Sequence, residues 1–405
     1  MPTHNRWVIA AAGVLMQIAL GAVYAWSVFR IPLTNSFGWT ISEVTLTFTI
    51  AIFVLGLAAF AGGLWMRRAG PRTVGLTAGV LYGLGVCLAS LAGGRLWWLY
   101  CSYGVIAGVG LGLGYIVPVA TLVKWFPDKR GLITGLAVAG FGAGALITAP
   151  VATKLIATVG VLETFAILGV AYFVAVTGGA LFMRNPPDGY RPPGWTPTTS
   201  QQQQRATRPY SLREALRSWQ WYGLWTLLFL NTTAGIAVIS QAAPMFQEIT
   251  NISAARAASV VGIISIANGA GRLLWAWLSD LVGRRPVFLV MFLLQAIIFW
   301  LLPSAHSLGA FAALTVLVLL CYGGGFGTMP AFAADYFGAE HVGSIYGLML
   351  TAWGVAGVLG PTLMATLRQR SGGYDGGLRL IAGLMLVSAI IPLIVRPPKA
   401  DVARR

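Results

Sequence analysis

The sequence predicts an all-α membrane protein with twelve transmembrane helices in two six-helix halves. Of its 405 residues, 57% are hydrophobic and only 9% are charged, whereas an ordinary soluble domain carries about 25% charged residues. The stretch 286–334 contains no Asp, Glu, Lys or Arg, and it is far longer than the roughly 20 apolar residues that cross a bilayer. These observations exclude a soluble globular protein, a disordered chain and a coiled coil.

Twelve apolar segments follow one another along the chain. In the first half they cover 7–29, 43–66, 73–93, 97–123, 131–154 and 162–184. In the second half they cover 219–241, 254–279, 285–303, 308–334, 343–367 and 377–395. We therefore predict an N-terminal half over 1–184, a cytoplasmic central loop over 185–218 and a C-terminal half with a short cytoplasmic tail over 219–405. Within the loop, Ser211 followed three residues later by Glu214 predicts the capped start of a short helix.

The two halves repeat at a nearly constant spacing. An offset of 212 residues relates Pro118 to Pro330, Gly131 to Gly343 and Gly142 to Gly354, and an offset of 213 relates Gly70 to Gly283 and Arg72 to Arg285. Parallel repeats of six helices are typical of one large transporter architecture.

The basic residues predict the orientation. Most of the 27 Lys and Arg residues lie in alternate gaps, which face the cytoplasm if the N-terminus is inside. We expect a multi-pass protein of the inner (plasma) membrane with both termini cytoplasmic. The net charge of +16 then reflects orientation in the lipid bilayer, and we expect no nucleic-acid partner and a monomeric protein.

Arg272 is the clearest candidate for substrate binding. It lies inside the eighth apolar segment, where a charge is costly unless it faces a wet cavity or a partner. A guanidinium in such a cavity can bind a carboxylate through two parallel hydrogen bonds. The alternatives are snorkelling or an ion pair that fixes helix packing. Asn268, one turn earlier on the same face, is within reach of Arg272 or of the substrate.

Aromatic side chains in glycine-rich segments mark the rest of the predicted cavity. Tyr24 lies in the first segment, Tyr115 in the fourth, Tyr322 in the tenth and Trp353 in the eleventh. A buried Tyr hydroxyl or Trp N–H needs a polar partner, which a cavity lined by polar groups supplies. Phe141 is the repeat mate of Trp353 and is expected to pack near the site.

Carboxylates and histidines offer no catalytic constellation. The 11 acidic residues fall at segment ends or in loops, and His4, His306 and His341 also lie near segment ends. The 3 cysteines have no metal-ligand spacing. We therefore expect no enzymatic activity, no metal and no cofactor. A proton-coupled transporter also lacks an obvious carboxylate in mid-membrane, and Glu248 is the nearest external candidate.

Two loops carry a family resemblance. The stretch 63–72 reads GLWMRRAGPR and the stretch 276–285 reads AWLSDLVGRR. Both resemble the G-x-x-x-D-R-x-G-R-R loop of the major facilitator superfamily, in which the Asp and the basic residues help to latch the cytoplasmic gate. The first copy has Arg67 in place of the Asp, and the second has Ala276 for the first Gly and Leu281 for the first Arg. The resemblance implies a gating role for these residues: Asp280, Arg284, Arg285, Arg68 and Arg72.

Within that superfamily the chain resembles the oxalate/formate antiporter branch, which is related to the monocarboxylate transporters. The matching stretches are 24–29, 32–33, 37–39, 125–131, 268–272 and 346–348. The resemblance implies that Arg272 binds the substrate carboxylate. Trp353 stands where the oxalate exchangers carry a second cation, a lysine. Asn268 and Val28 stand where the animal-type monocarboxylate transporters carry the Asp and the Lys of their proton relay.

Together these features predict a secondary transporter of small organic monocarboxylates such as lactate, pyruvate or formate. Symport with a proton is slightly favoured, and an oxalate/formate-type anion exchanger is the alternative. The expected partners are a small carboxylate, the lipid bilayer and, in the case of symport, a proton. A transporter-like membrane sensor belongs to a different class, but the short 185–218 loop has too little apolar content for a signalling domain.

Overall fold

The computed structural model describes residues 5–197 and 208–398, and these residues are helical or irregular without a β-strand. The all-α membrane class is confirmed. The helices of the described residues are α1 Arg6–Gly21, α2 Ser27–Phe37, α3 Ile41–Ala89, α4 Leu96–Leu99, α5 Gly108–Trp125, α6 Arg130–Val159, α7 Val161–Ala180, α8 Leu212–Leu216, α9 Trp219–Thr250, α10 Ala254–Val282, α11 Arg284–Leu301, α12 Leu308–Phe337, α13 Val342–Met349, α14 Thr351–Ser371, α15 Asp375–Ser388 and α16 Ile390–Ile394.

Ten spans among the described residues are long and apolar enough to cross a membrane. One of them, Ser42–Ala89, contains two predicted helices, because α3 continues through a kink at Gly70 (φ 77°, ψ 164°) that is followed by Pro71. Only glycine adopts this backbone conformation readily. The eighth predicted helix, α10, is not among the ten spans found in the described residues. The ten spans, the second predicted helix within Ser42–Ala89, and α10 together account for the twelve predicted helices.

The first helix is longer than the sequence pattern indicates. A 3₁₀ turn, Ala22–Trp26, joins α1 to α2, and the helical run ends at Phe37 rather than near Phe29. Gly38 then adopts a left-handed conformation (φ 71°) and caps the helix. The polar residues after Phe29 resemble a loop in sequence, but they form two further turns of helix around Pro32.

The central loop contains the predicted short helix. Ser211 caps α8, and Glu214 completes the capping box by accepting a hydrogen bond from the Ser211 backbone N–H at 2.8 Å. These hydrogen bonds and the nearby Arg208 lower the pKa of Glu214 to about 2. The glutamine run at 201–204 lies outside the described residues.

The chain divides into two compact units. The first unit comprises Met1–Asp128, Ala137–Trp195 and Ala339–Leu350, and the second comprises Lys129–Leu136, Thr196–Gly338 and Thr351–Arg405. Each unit therefore consists mainly of one half of the sequence plus a short segment of the other half. The two short segments, Lys129–Leu136 in the second unit and Ala339–Leu350 in the first, correspond to each other under the 212-residue offset. We call them the exchanged segments. In the first unit α3 packs along α5 and α7, and in the second unit α10 packs along α12.

Candidate substrate site and gate

Arg272 lies at a backbone-to-backbone contact between α10 and α12. A Cβ atom added to Gly327 would lie 2.0 Å from the Arg272 carbonyl oxygen, and one added to Gly323 would lie 2.0 Å from the Asn268 carbonyl oxygen. On α10 itself, a Cβ at Gly271 would lie 2.0 Å from the Leu320 carbonyl oxygen. Close approach of this kind is the usual role of small residues between membrane helices. It fixes the height and the rotation of α10 at Arg272.

The Arg272 side chain is buried against a group of aromatic rings. Its exposed fraction is 3%, and its guanidinium carbon lies 5.6 Å from the centroid of the Phe326 ring. Phe326 in turn contacts Tyr322, at 5.5 Å between centroids, and Trp353, at 5.4 Å. The second unit thus brings together three of the sequence-predicted residues around Phe326. The sequence reasoning missed Phe326, although it follows Tyr322 by one helical turn.

Asn268 occupies the same helix face one turn before Arg272. Its side-chain carbonyl Oδ1 is buried and accepts no hydrogen bond from the described residues. The structure therefore shows no hydrogen bond from Arg272 to this oxygen. The side chain retains an acceptor for a donor group of a ligand.

A second aromatic group lies in the first unit. Phe141 makes edge-to-face contacts with Tyr24 and with Tyr115, each at 5.2 Å between centroids. The Tyr115 hydroxyl lies 3.4 Å from the hydroxyl of Tyr346, a residue that the sequence reasoning did not place in the site. Val28 is half-buried one turn after Tyr24. The predicted site residues are thus divided between the units, with four in the first unit and four in the second.

Asp280 caps a helix of the other sequence half. Its two carboxylate oxygens accept hydrogen bonds from the backbone N–H groups of Gly131 and Leu132, each at 2.8 Å. These are two of the unsatisfied donors at the start of α6, where the helix dipole also favours a negative charge. All three residues belong to the second unit.

Three further charged side chains complete the cap that Asp280 forms. Arg284 forms ion pairs with Asp280 at 2.7 Å and with Asp335 at 2.9 Å. Arg130 forms an ion pair with the other oxygen of Asp335 at 2.7 Å. The side chains of Arg284 and Asp335 are only 6% and 7% exposed, so their charges are balanced within the protein. We call these four residues the charge network. The sequence motif indicated Asp280 and Arg284 but neither Arg130 nor Asp335.

The other three residues that the motif implies for gating lie elsewhere. The Arg285 guanidinium donates hydrogen bonds to the backbone carbonyls of Pro392, at 2.7 Å, and Leu393. Arg68 and Arg72 are exposed and line two separate cavities of the first unit. No ion pair joins either of them to another residue in the part of the chain that the structure describes.

Glu248 has a strong partner at the end of α9. Both of its oxygens accept hydrogen bonds from the Arg368 guanidinium, the Nε bond being 3.2 Å long. Arg368 also lies over the Tyr374 ring, 5.2 Å from its centroid. The side chains of Glu248 and Arg368 are 39% and 43% exposed. The nearest external candidate for a proton-carrying carboxylate therefore forms an ion pair with Arg368.

Comparison with known proteins identifies the family. The model of the Major Facilitator Superfamily matches residues 9–280 and 224–405. The oxalate:formate antiporter of Oxalobacter formigenes is 26% identical over 98% of this chain and 94% of its own. Apicoplast pyruvate carrier 1 of Toxoplasma gondii is 26% identical over 85% of this chain and 73% of its own. The structure of the Escherichia coli fucose:proton symporter superposes with a TM-score of 0.74 at 15% identity, covering 98% of this chain and 100% of the symporter. The predicted fold and family are confirmed, and the chain belongs to the Major Facilitator Superfamily of transporters.

Proposed function

We propose that this transporter carries small organic monocarboxylates of the lactate, pyruvate or formate type, and that Arg272 binds the carboxylate. The observation that carries the proposal is the buried Arg272 side chain, whose helix is held by backbone contacts and whose guanidinium packs on the Phe326 ring. A guanidinium matches a carboxylate with two charge-assisted hydrogen bonds. The relatives named for oxalate, formate and pyruvate support the same chemical class.

The aromatic group favours one carboxylate over two. Around Phe326 it provides one guanidinium, the Tyr322 hydroxyl and the Trp353 indole. The second charge of oxalate would lie against rings rather than a cation, and an unpaired charge in such surroundings is strongly unfavourable. A small apolar body, such as the methyl group of pyruvate, suits the same rings.

We propose symport with a proton, and exchange of one anion for another is the alternative. A monocarboxylate that enters a cell against the membrane potential needs a co-ion. The family's proton relay does not carry over, because Asn268 and Val28 occupy its expected places. The named function of the oxalate:formate antiporter supports the exchange alternative.

The proposal extends to location. The distribution of Lys and Arg supports an inner (plasma) membrane protein with cytoplasmic termini. The charge network would then lie on the cytoplasmic side and latch that side of the transport path. We propose a monomer that works as a transporter and not as an enzyme.

Uptake into liposomes tests the function and its coupling. The purified protein is reconstituted without an internal anion, and an inward proton gradient is imposed in the presence of labelled lactate. We expect accumulation that collapses when a protonophore is added. Uptake only after preloading with formate would establish the exchanger instead. Absence of uptake in both arms for lactate, pyruvate and formate would contradict the substrate class.

Replacement of Trp353 by lysine tests the choice of substrate. The new ammonium would lie beside Phe326, on whose ring Arg272 also packs, so that two cations would be available to oxalate. We expect inhibition of lactate uptake by oxalate to strengthen about tenfold, because a hydrogen bond to a charged group contributes about 1.5–3 kcal/mol. Trp353→Met is the matched control, since it removes the indole without adding a charge. Equal oxalate inhibition in both variants would contradict the assigned position of the second cation.

A further inference from the structure

A side-chain amide on α9 supports the backbone of α12 at Tyr322. Asn231 donates a hydrogen bond from Nδ2 to the Tyr322 carbonyl oxygen at 3.1 Å. Gln295 on α11 in turn donates a hydrogen bond from Nε2 to Asn231 Oδ1 at 3.0 Å. Asn231 and Gln295 are both completely buried. A chain of side-chain hydrogen bonds therefore joins three helices of the second unit and ends at one backbone carbonyl of the candidate site.

Gly235 supports the ring of the same tyrosine. It lies one turn after Asn231 on the same face of α9, and a Cβ atom added to it would overlap the Cβ, Cγ and Cδ2 atoms of Tyr322. The ring therefore lies directly on the α9 backbone. The same ring contacts Phe326, which packs on the Arg272 guanidinium. Asn231 and Gly235 thus fix both the backbone and the ring of Tyr322.

The backbone of α12 is rich in glycine at this point. Residues 323–325 and residue 327 are all glycine. Glycine in the middle of a helix is unfavourable, because it loses more conformational freedom on folding than any other residue. The hydrogen bond from Asn231 gives this stretch a fixed point at Tyr322, immediately before the glycines begin.

Packing alone does not explain the two amides. Gln295 Oε1 is buried and accepts no hydrogen bond from the described residues. A buried acceptor in this state destabilises a protein, whereas apolar side chains of the same shape would avoid the loss. We therefore expect the amides to serve the position of Tyr322 rather than the stability of the fold.

The first unit contains the same arrangement. Under an offset of 214 residues, Gln17 and Gly21 on α1 correspond to the amide and the glycine of α9. Gln17 Nε2 donates a hydrogen bond to the Tyr115 carbonyl oxygen at 3.2 Å, and Tyr115 follows alternate glycines in the stretch 108–114. A Cβ atom added to Gly21 would overlap the backbone of Phe141. In each unit the first helix of the sequence half therefore supports aromatic residues of the candidate site through an amide and a glycine.

We propose that Asn231 and Gly235 are positioning residues, which hold the Tyr322 ring against the apolar body of a bound monocarboxylate and so select substrates by that body. This inference rests on the proposed function. Arg272 lies on another helix, α10, and would bind the carboxylate of formate and of pyruvate alike. Pyruvate has in addition a methyl group that packs on the rings. Displacement of the Tyr322 ring should therefore weaken the binding of pyruvate selectively.

Uptake of labelled formate and pyruvate into proteoliposomes tests this selectivity. In N231L and in G235A we expect the KM for pyruvate to rise about tenfold, the effect of one methyl group in an apolar pocket, and the KM for formate to change by less than about threefold. A structural defect alone would lower the maximal rates for both substrates in parallel.

Two matched controls are expected to keep both wild-type KM values. T232V removes a buried hydroxyl from the position next to Asn231 on α9. G383A adds a methyl group to α15 at a position where no atom lies within 4 Å of the added carbon. Melting temperatures of all four variants check their folding.

A second measurement follows Tyr322 without any substrate. Fluorine NMR of protein labelled with 3-fluorotyrosine gives a resonance for each tyrosine, and the resonance that is lost in Y322F belongs to Tyr322. We expect this resonance to shift in N231L and in G235A and to remain unchanged in T232V and G383A.

Two outcomes would overturn the inference. A Tyr322 resonance that is unchanged in both N231L and G235A would show that α9 does not position the ring. Equal increases in the two KM values, or a change confined to the maximal rates, would show that the amide serves helix packing alone. Absence of formate and pyruvate uptake by the wild-type protein would instead contradict the proposed function, and a shifted Tyr322 resonance would then still support the positioning of the ring.

Discussion

Arg272→Ala is expected to lower lactate or pyruvate uptake at least about 100-fold while leaving folded protein in the membrane. The variant removes the cation that pairs with the carboxylate of the bound substrate, and removal of one partner of a buried ion pair costs about 3–5 kcal/mol. A difference of 1.4 kcal/mol corresponds to a factor of ten. The fold should tolerate the change because α10 and α12 meet through the backbone at Gly271, Gly323 and Gly327. The measurement is initial uptake into proteoliposomes, with the melting temperature of the purified variant as the check on folding.

Two further variants test whether the loss of uptake is specific to the Arg272 guanidinium. Arg272→Lys keeps the charge but cannot form the bidentate geometry, so we expect intermediate uptake. Arg213→Ala removes an exposed arginine from α8 and is expected to leave uptake unchanged. Normal uptake by Arg272→Ala would show that the carboxylate binds elsewhere and that Arg272 serves helix packing.

Asp335→Ala should produce the largest loss of stability. The change leaves Arg130 without its ion pair and Arg284 with only Asp280, so that one positive charge of the buried network is uncompensated. Breaking a buried pair from one side typically destabilises a protein by about 3–5 kcal/mol. We expect a marked fall in the melting temperature and reduced transport.

The matched variant restores the charge balance. Arg130→Met combined with Asp335→Ala leaves Asp280 paired with Arg284, and we expect this double variant to melt at a higher temperature than Asp335→Ala alone. The coupling between the two positions follows from the double-mutant cycle. Additive losses in the double variant would show that the two side chains act independently, contrary to the 2.7 Å ion pair.

The fold was predictable because its signals are local. Hydropathy, charge and the 212-residue repeat each act within one segment or compare two segments directly, and they predicted the helices without any knowledge of packing. The ends of helices were less predictable. Phe37 ends the first helical run because Gly38 adopts a left-handed conformation, and a helix with polar residues around Pro32 resembles a loop in sequence.

The site was predictable only in part, for a physical reason. Arg272 stands out because a charge within an apolar segment is rare. Phe326 does not stand out, since the sequence contains 19 Phe residues and most of them serve packing. Arg130 and Asp335 are 205 positions apart, so no spacing within one segment could relate them. Such partners become visible only when the chain is folded.

The exchanged segments have a consequence for the origin of the repeat. Residues 129–136 provide the N–H groups that Asp280 binds, and Thr134 donates a hydrogen bond to the Gly327 carbonyl at 2.8 Å. The C-terminal half alone would lack this segment. The part of the sequence that repeats therefore differs from the part that forms a compact unit. An ancestor of half this length would have needed a second copy of itself to complete each body, as in a domain-swapped dimer. Fusion of two such copies would have made that mutual dependence permanent within one chain.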